Sequence, residues 1–97
     1  MKVMAIGNIT RPPTEDQSEQ VLSREVPHTL QLYLGGKLEQ FWFRQDRPGT
    51  FFLFDVDSLD DAKTIANDLP LVKEGFMTYE FFAVGPLAPL GRLIQRK

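Results

Sequence analysis

The sequence predicts an α+β fold, a four-stranded antiparallel sheet with two helices on one face, in the order βαββαβ. Three observations carry this. Short apolar runs too brief for helices stand near the start, centre and end of the 97-residue chain. Between them lie two segments with helix-start signals and apolar residues at spacings of three and four. At the centre, Phe41-Trp42-Phe43 and Phe51-Phe52-Leu53-Phe54 flank a polar turn ending in Pro48-Gly49, the pattern of a β-hairpin.

Lys2 to Asn8 reads as a buried first strand, stopped by Thr10-Arg11-Pro12-Pro13. Thr14-Glu15-Asp16-Gln17 is a capping box with acids in the first turn, so a helix starts there. Its apolar stripe is Leu22, Val26, Leu30, Tyr33 and Leu34, which predicts the buried face. Pro27 removes a hydrogen bond near the middle and predicts a kink or two helical pieces. Gly35-Gly36 ends the helix.

Strands over Lys37–Arg44 and Thr50–Asp55 form the hairpin, with Pro48-Gly49 expected in a type II turn. A second helix begins at Asp57 or Ser58 and buries Leu59, Ala62, Ile65 and Ala66. It ends before Pro70, which disfavours helical geometry in the residue preceding it. Leu71 to Gly75 reads as a loop, Phe76 to Val84 as the last strand, and residues 85–97 as a proline-containing tail with basic Arg92, Arg96 and Lys97. The whole reads as one domain over 1–97. With a right-handed crossover and a central hairpin, the order closes most simply as the ferredoxin-like split βαβ sheet.

One feature strains that picture. Six of the eleven aromatic residues lie in the hairpin, at adjacent rather than alternating positions. Neighbouring strand residues point to opposite faces, so both faces of the sheet need cover, while two helices cover only one. Phe41 and Phe43 are assigned to the helix side. Trp42, Arg44 and Gln40 are assigned to the open side, with one of Phe51 and Phe52, and with Phe76 and Phe82 from the last strand. Such a patch exceeds what monomers normally expose, which predicts a homodimer with two sheets stacked face to face.

Composition narrows function. A net charge of −2 gives no basic field, which argues against nucleic acid or an anionic membrane as partners. Without cysteine there are no disulfides, thiolate metal sites or cysteine nucleophiles, and His28 is the only histidine, so no metal centre is expected. Neither a membrane-span pattern nor a signal-peptide pattern is present, so a cytoplasmic location is the expectation.

The residues Trp42 to Arg44, Asp46, Pro48-Gly49, Phe51-Phe52-Leu53-Phe54, Leu69-Pro70-Leu71-Val72 and Gly85-Pro86-Leu87 resemble the muconolactone delta-isomerase-like proteins. These belong to the dimeric α/β-barrel superfamily, which also holds YCII-related and monooxygenase-like domains. The resemblance implies a dimer whose two sheets build a barrel, with a small-molecule pocket inside each half or at its mouth. It further implies an isomerase that shifts a proton in a lactone without a cofactor.

A cofactor-free isomerase or cyclase needs groups that take and return a proton in a place sheltered from water. His28, Arg44 and Glu80 are the catalytic candidates; Trp42, Asp46 and Phe82 are the substrate-binding ones. His28 titrates nearest neutrality and serves as a base, or else lies exposed near Pro27. Glu25 either orients it or forms a surface pair. Arg44 holds a carboxylate or enolate oxygen, or else pairs structurally with Asp46 or Glu80. Asp46 contacts substrate or caps its turn. Glu80, if buried, has a raised pKa suited to a base, but a one-residue register slip reverses its face. Trp42 and Phe82 line a pocket for a flat ligand, or pack in a dimer core. Apart from an enzyme, the same features fit a small-ligand carrier or sensor, or an accessory subunit whose sheet face binds another chain.

Overall fold

The computed structural model describes residues 1–86. Seven elements follow one another: β1 (Lys2–Ile9), α1 (Glu15–Leu34), β2 (Leu38–Phe43), β3 (Gly49–Asp55), α2 (Leu59–Asn67), the single-turn α3 (Pro70–Lys73) and β4 (Met77–Val84). The strands form one antiparallel sheet in the order β2-β3-β1-β4, the expected split βαβ arrangement. The expected proline tail lies outside the described residues from Leu87 onward.

Local signals act where the sequence places them. Thr14 caps α1, its hydroxyl accepting from the Gln17 N–H while the Gln17 side chain accepts from the Thr14 N–H. Gly36 follows the helix at φ 81°, where the Lys37 N–H reaches back to the Leu32 carbonyl. Ser58 caps α2. Pro70 opens α3, where its missing N–H costs nothing, so the expected loop over Leu71–Gly75 begins instead as a helical turn.

Register fixes the faces. On the helix side run the rows Phe43–Thr50–Gly7–Tyr79 and Phe41–Phe52–Ala5–Phe81. On the open side run Trp42–Phe51–Ile6–Glu80 and Gln40–Leu53–Met4–Phe82. The core lies between sheet and helices, built on Val3, Ala5, Phe52, Phe54, Ala62, Ala66 and Leu69, all essentially sealed from solvent. Phe41 and Phe43 thus face the helix side, and Trp42 the open side, as expected.

Four further expectations change. The stripe Leu22, Val26, Leu30, Tyr33 and Leu34 is exposed, and α1 turns Val21, Glu25 and Leu32 inward instead. The Glu25 carboxylate accepts the Leu71 N–H at 2.9 Å and so locks the helix in this rotation. Second, of the two outcomes expected at Pro27, two separate helical pieces do not form, and α1 is one helix with Pro27 inside it. Third, the hairpin loop spans residues 44–48 and Gly49 opens β3 at φ 154°, outside a type II turn. A Cβ there would stand 2.2 Å from the Gly7 carbonyl oxygen, so the strands approach through glycine. Fourth, Phe76 is buried beneath the Arg11 guanidinium, 4.3 Å from its ring centre, and adds nothing to the open face.

Gly7 itself is crowded, for an added Cβ would meet the Tyr79 ring at 2.7 Å and the Thr50 hydroxyl at 2.8 Å. Gly7→Ala should therefore destabilise the protein by about 1–3 kcal/mol, the usual cost of overpacking, read from urea unfolding. An unchanged midpoint would contradict this packing.

Candidate functional site

The sheet divides the polar groups into two sets. The first is inside the helix layer. Gly7 lacks a side chain, so the Tyr79 ring leans across β1 and its hydroxyl meets the Thr50 hydroxyl at 3.1 Å. Burial pushes the Tyr79 pKa up, and the nearby Glu25 charge pushes it further, so the phenol holds its proton. In the same layer Glu25, on α1, has only 6% of its surface exposed. Burial raises its pKa, against the opposing effects of the Leu71 N–H, the His28 charge and Thr29. At one end of the same row Phe43 is 80% exposed, and Phe41 stacks edge-on to a half-exposed Tyr33. The helix-side margin of β2 is therefore exposed and aromatic.

His28 lies one turn along α1 from Glu25, its Nε2 4.0 Å from an Asp68 carboxylate oxygen at the end of α2. It belongs to the helix layer. The sheet stands between it and Arg44 and Glu80, so those three candidates are not brought together within the chain.

The second set is on the open face. Arg44 Nε and Nη2 donate to both Asp46 carboxylate oxygens at 3.0 and 2.7 Å, and Nη1 donates to Asn8 Oδ1 at 2.8 Å. This fork holds the Asp46 pKa down at about 2 and braces the hairpin tip against β1. Of the two roles open to Arg44, the structure displays the pairing with Asp46. Glu80 is exposed on this face, at the opposite end of its row from Trp42, about 14 Å away at ~4.8 Å per strand. Trp42 (45% exposed), Phe82 and Val84 stand bare, with Met4, Ile6, Phe51 and Leu53 half-covered between them. Among the described residues no cluster of metal-ligating side chains occurs, and no helix is long and apolar enough to cross a membrane.

The sequence marks neither Tyr79 nor Thr50, and for Glu25 it offers a partner of His28 or a surface pair, not the buried carboxylate found. A signal for Glu25 did exist, as it stands four residues after Val21 and seven before Leu32, on a helical face of its own. Nothing local marks the Tyr79–Thr50 pair, because 29 residues separate its members.

No family model matches the chain, and no curated protein matches it. Solved structures do. The chain is similar to muconolactone isomerase, with a TM-score of 0.76 at 18% identity, covering 89% of this chain and 90% of that one. It is also similar to 5-chloro-2-hydroxyhydroquinone dehydrochlorinase (TftG) of Burkholderia phenoliruptrix AC1100, in complex with 2,5-dihydroxybenzoquinone. That likeness has a TM-score of 0.66 at 14% identity, over 86% of this chain and 93% of that one. The fold is thus the ferredoxin-like fold of muconolactone isomerase, as the sequence resemblance implied. At such identities the likeness extends to the fold and not to individual side chains.

Because the folded state keeps the Glu25 proton to higher pH than the unfolded chain does, its contribution is complete below the ordinary carboxylate value of 4.5. It is lost as pH rises through the elevated folded value. Glu25→Gln, which keeps the acceptor for the Leu71 N–H, should flatten that decline and raise the urea midpoint at pH 7. An unaltered pH slope would show that Glu25 is solvated.

Proposed function

We propose that this protein is a small-molecule enzyme that isomerises or cyclises a flat cyclic substrate by proton transfer, working as a homodimer joined through its open sheet faces. The observation that carries the reading is the buried Glu25 carboxylate, whose charge acts on Tyr79, in the layer that holds the Tyr79–Thr50 hydroxyl pair. A carboxylate with a raised pKa is a stronger base than an ordinary one, and burial shelters it from water. The exposed aromatic margin formed by Tyr33, Phe41 and Phe43 suits entry of a ring.

In this reading Glu25 removes a proton from a carbon beside the substrate carbonyl. The electron pair moves onto the carbonyl oxygen, which accepts a hydrogen bond from the Tyr79 hydroxyl. Glu25 then returns the same proton to a more distant carbon of the conjugated system, and the double bond shifts with no net gain or loss of atoms. Each role is taken by a side chain of this chain. His28 acts through charge, its protonated form lowering the Glu25 pKa. The fold likeness to muconolactone isomerase supports this class of chemistry without assigning the substrate.

The open face supplies the second part. Trp42, Phe82, Val84, Phe51, Leu53, Met4 and Ile6 form an apolar surface that a second copy would cover. At ~25 cal/mol per Å2, a patch of a few hundred Å2 favours association by many kcal/mol before entropic costs. Stacking would bring Arg44 and Glu80 between the sheets, with Asp46 at the barrel mouth. There they would serve as wall and charge partners around any ligand enclosed with Trp42 and Phe82.

Muconolactone and 2,5-dihydroxybenzoquinone, incubated with the protein in D2O and followed by proton NMR, test the chemistry. Catalysed exchange or double-bond migration is expected with at least one of them, falling 10²–10⁴-fold in Glu25→Gln and at least tenfold in Tyr79→Phe while binding persists. Saturable binding without exchange would favour the carrier reading instead. Light scattering at micromolar concentration should give twice the 11.1 kDa chain mass, and Trp42→Glu should halve it. A wild-type particle of 11.1 kDa would overturn the dimer.

A further inference from the structure

The hairpin tip and the end of β1 enclose a cleft of about 280 Å3, lined by Asn8, Ile9, Pro12, Arg47 and Pro48. It adjoins the Arg44 brace and is separate from Glu25 and Tyr79. The geometry points to this cleft as a binding site for a small organic monoanion, a carboxylate carried on a compact apolar body.

The argument begins with Asn8. Its Oδ1 is taken by Arg44 Nη1, so the opposite end of the amide, the NH2 group with two donors, is turned away from Arg44. Arg44 in turn is fixed by both oxygens of Asp46, and only 11% of its side chain is exposed. Arg44 therefore does not supply the charge; it orients the asparagine. Arg47, three residues on, faces the cleft and makes no ion pair among the described residues. With Asp46 neutralised by Arg44, the hairpin tip keeps one positive charge, on Arg47. Glu80 bears on Arg44, from the next row of the open face.

The remaining walls are Pro12, Pro48 and Ile9, rigid and apolar, with neither proline offering a backbone donor. An arginine and an asparagine whose amide oxygen is already taken, in the lining of a proline-walled cleft, match a carboxylate whose remainder is apolar. The cleft is at the small end of ligand pockets, which start near ~300 Å3, so a single ring or short chain fits. The site owes nothing to the proposed proton transfer and would stand without it.

The test is an NMR titration of the intact protein with benzoate, using benzyl alcohol as the uncharged control. Benzoate should shift the Asn8 side-chain amide and the Arg47 Nε–H saturably, with the alcohol at least tenfold weaker. Arg47→Gln should weaken benzoate about tenfold. Asn8→Asp, which sets a carboxylate against the ligand, should abolish the shift of the Arg47 Nε–H, while thermal unfolding of Arg47→Gln stays at the wild-type midpoint. Equal binding of the alcohol, full affinity in Arg47→Gln, absence of saturation at millimolar benzoate, or shifts centred on Tyr79 and Thr50 would each overturn the assignment.

Discussion

The hydrogen bond from the Leu71 N–H to the Glu25 carboxylate sets much of this molecule. A buried carboxylate is expensive to keep, and that cost is bearable only where donors meet it. Meeting it here joins α1 to the first turn of α3 and fixes the rotation of a 20-residue helix. Every other residue on α1 takes its place from that rotation. Val21 and Leu32 go to the core, His28 goes to the edge beside Asp68, and an apolar stripe from Leu22 to Leu34 goes outward.

The same rotation gives the helix layer its chemistry. Glu25 lies in the layer over the sheet, where one row is small in the middle, with Gly7 and Thr50 between Phe43 and Tyr79. Because Gly7 has no Cβ, the Tyr79 ring crosses it to reach Thr50, and a hydroxyl pair bridges β4 to β3. Burial raises the pKa of both groups, and the Glu25 charge adds to the rise at Tyr79.

The opposite face follows a different rule. The pleat sends Trp42, Phe51 and Phe82 away from the helices, and Arg44, on the same face, is drawn into a closed fork with Asp46 and Asn8. That fork stiffens the loop between β2 and β3, where Pro48 and Gly49 already restrict the backbone. An arginine that looks like an anion-binding residue in the sequence is spent holding the hairpin to β1, and the unpaired charge passes to Arg47.

Much of the fold was legible because it rests on local rules. The capping box of α1, the serine cap of α2, the glycine stop after α1, the strand-length apolar runs and the βαββαβ order come from periodicity and turn chemistry over a few residues. Pleat alternation likewise gave the faces of Phe41, Trp42 and Phe43. What the sequence hid was non-local. The apolar stripe of α1 was read as its buried face because a helix is normally amphipathic toward its own core, and that inference failed against one hydrogen bond made 46 residues away. Glu25 looked like a surface acid for the same reason, and Tyr79 and Thr50 carry no local sign of each other. The sequence by itself determined the elements, their order and the two-sided apolar character of the sheet, since these depend on each residue and its near neighbours. Only the tertiary structure decided the strand register, the rotation of α1 and the partners of Glu25, Tyr79 and Arg44, because those depend on which distant backbone groups and side chains meet in the folded chain.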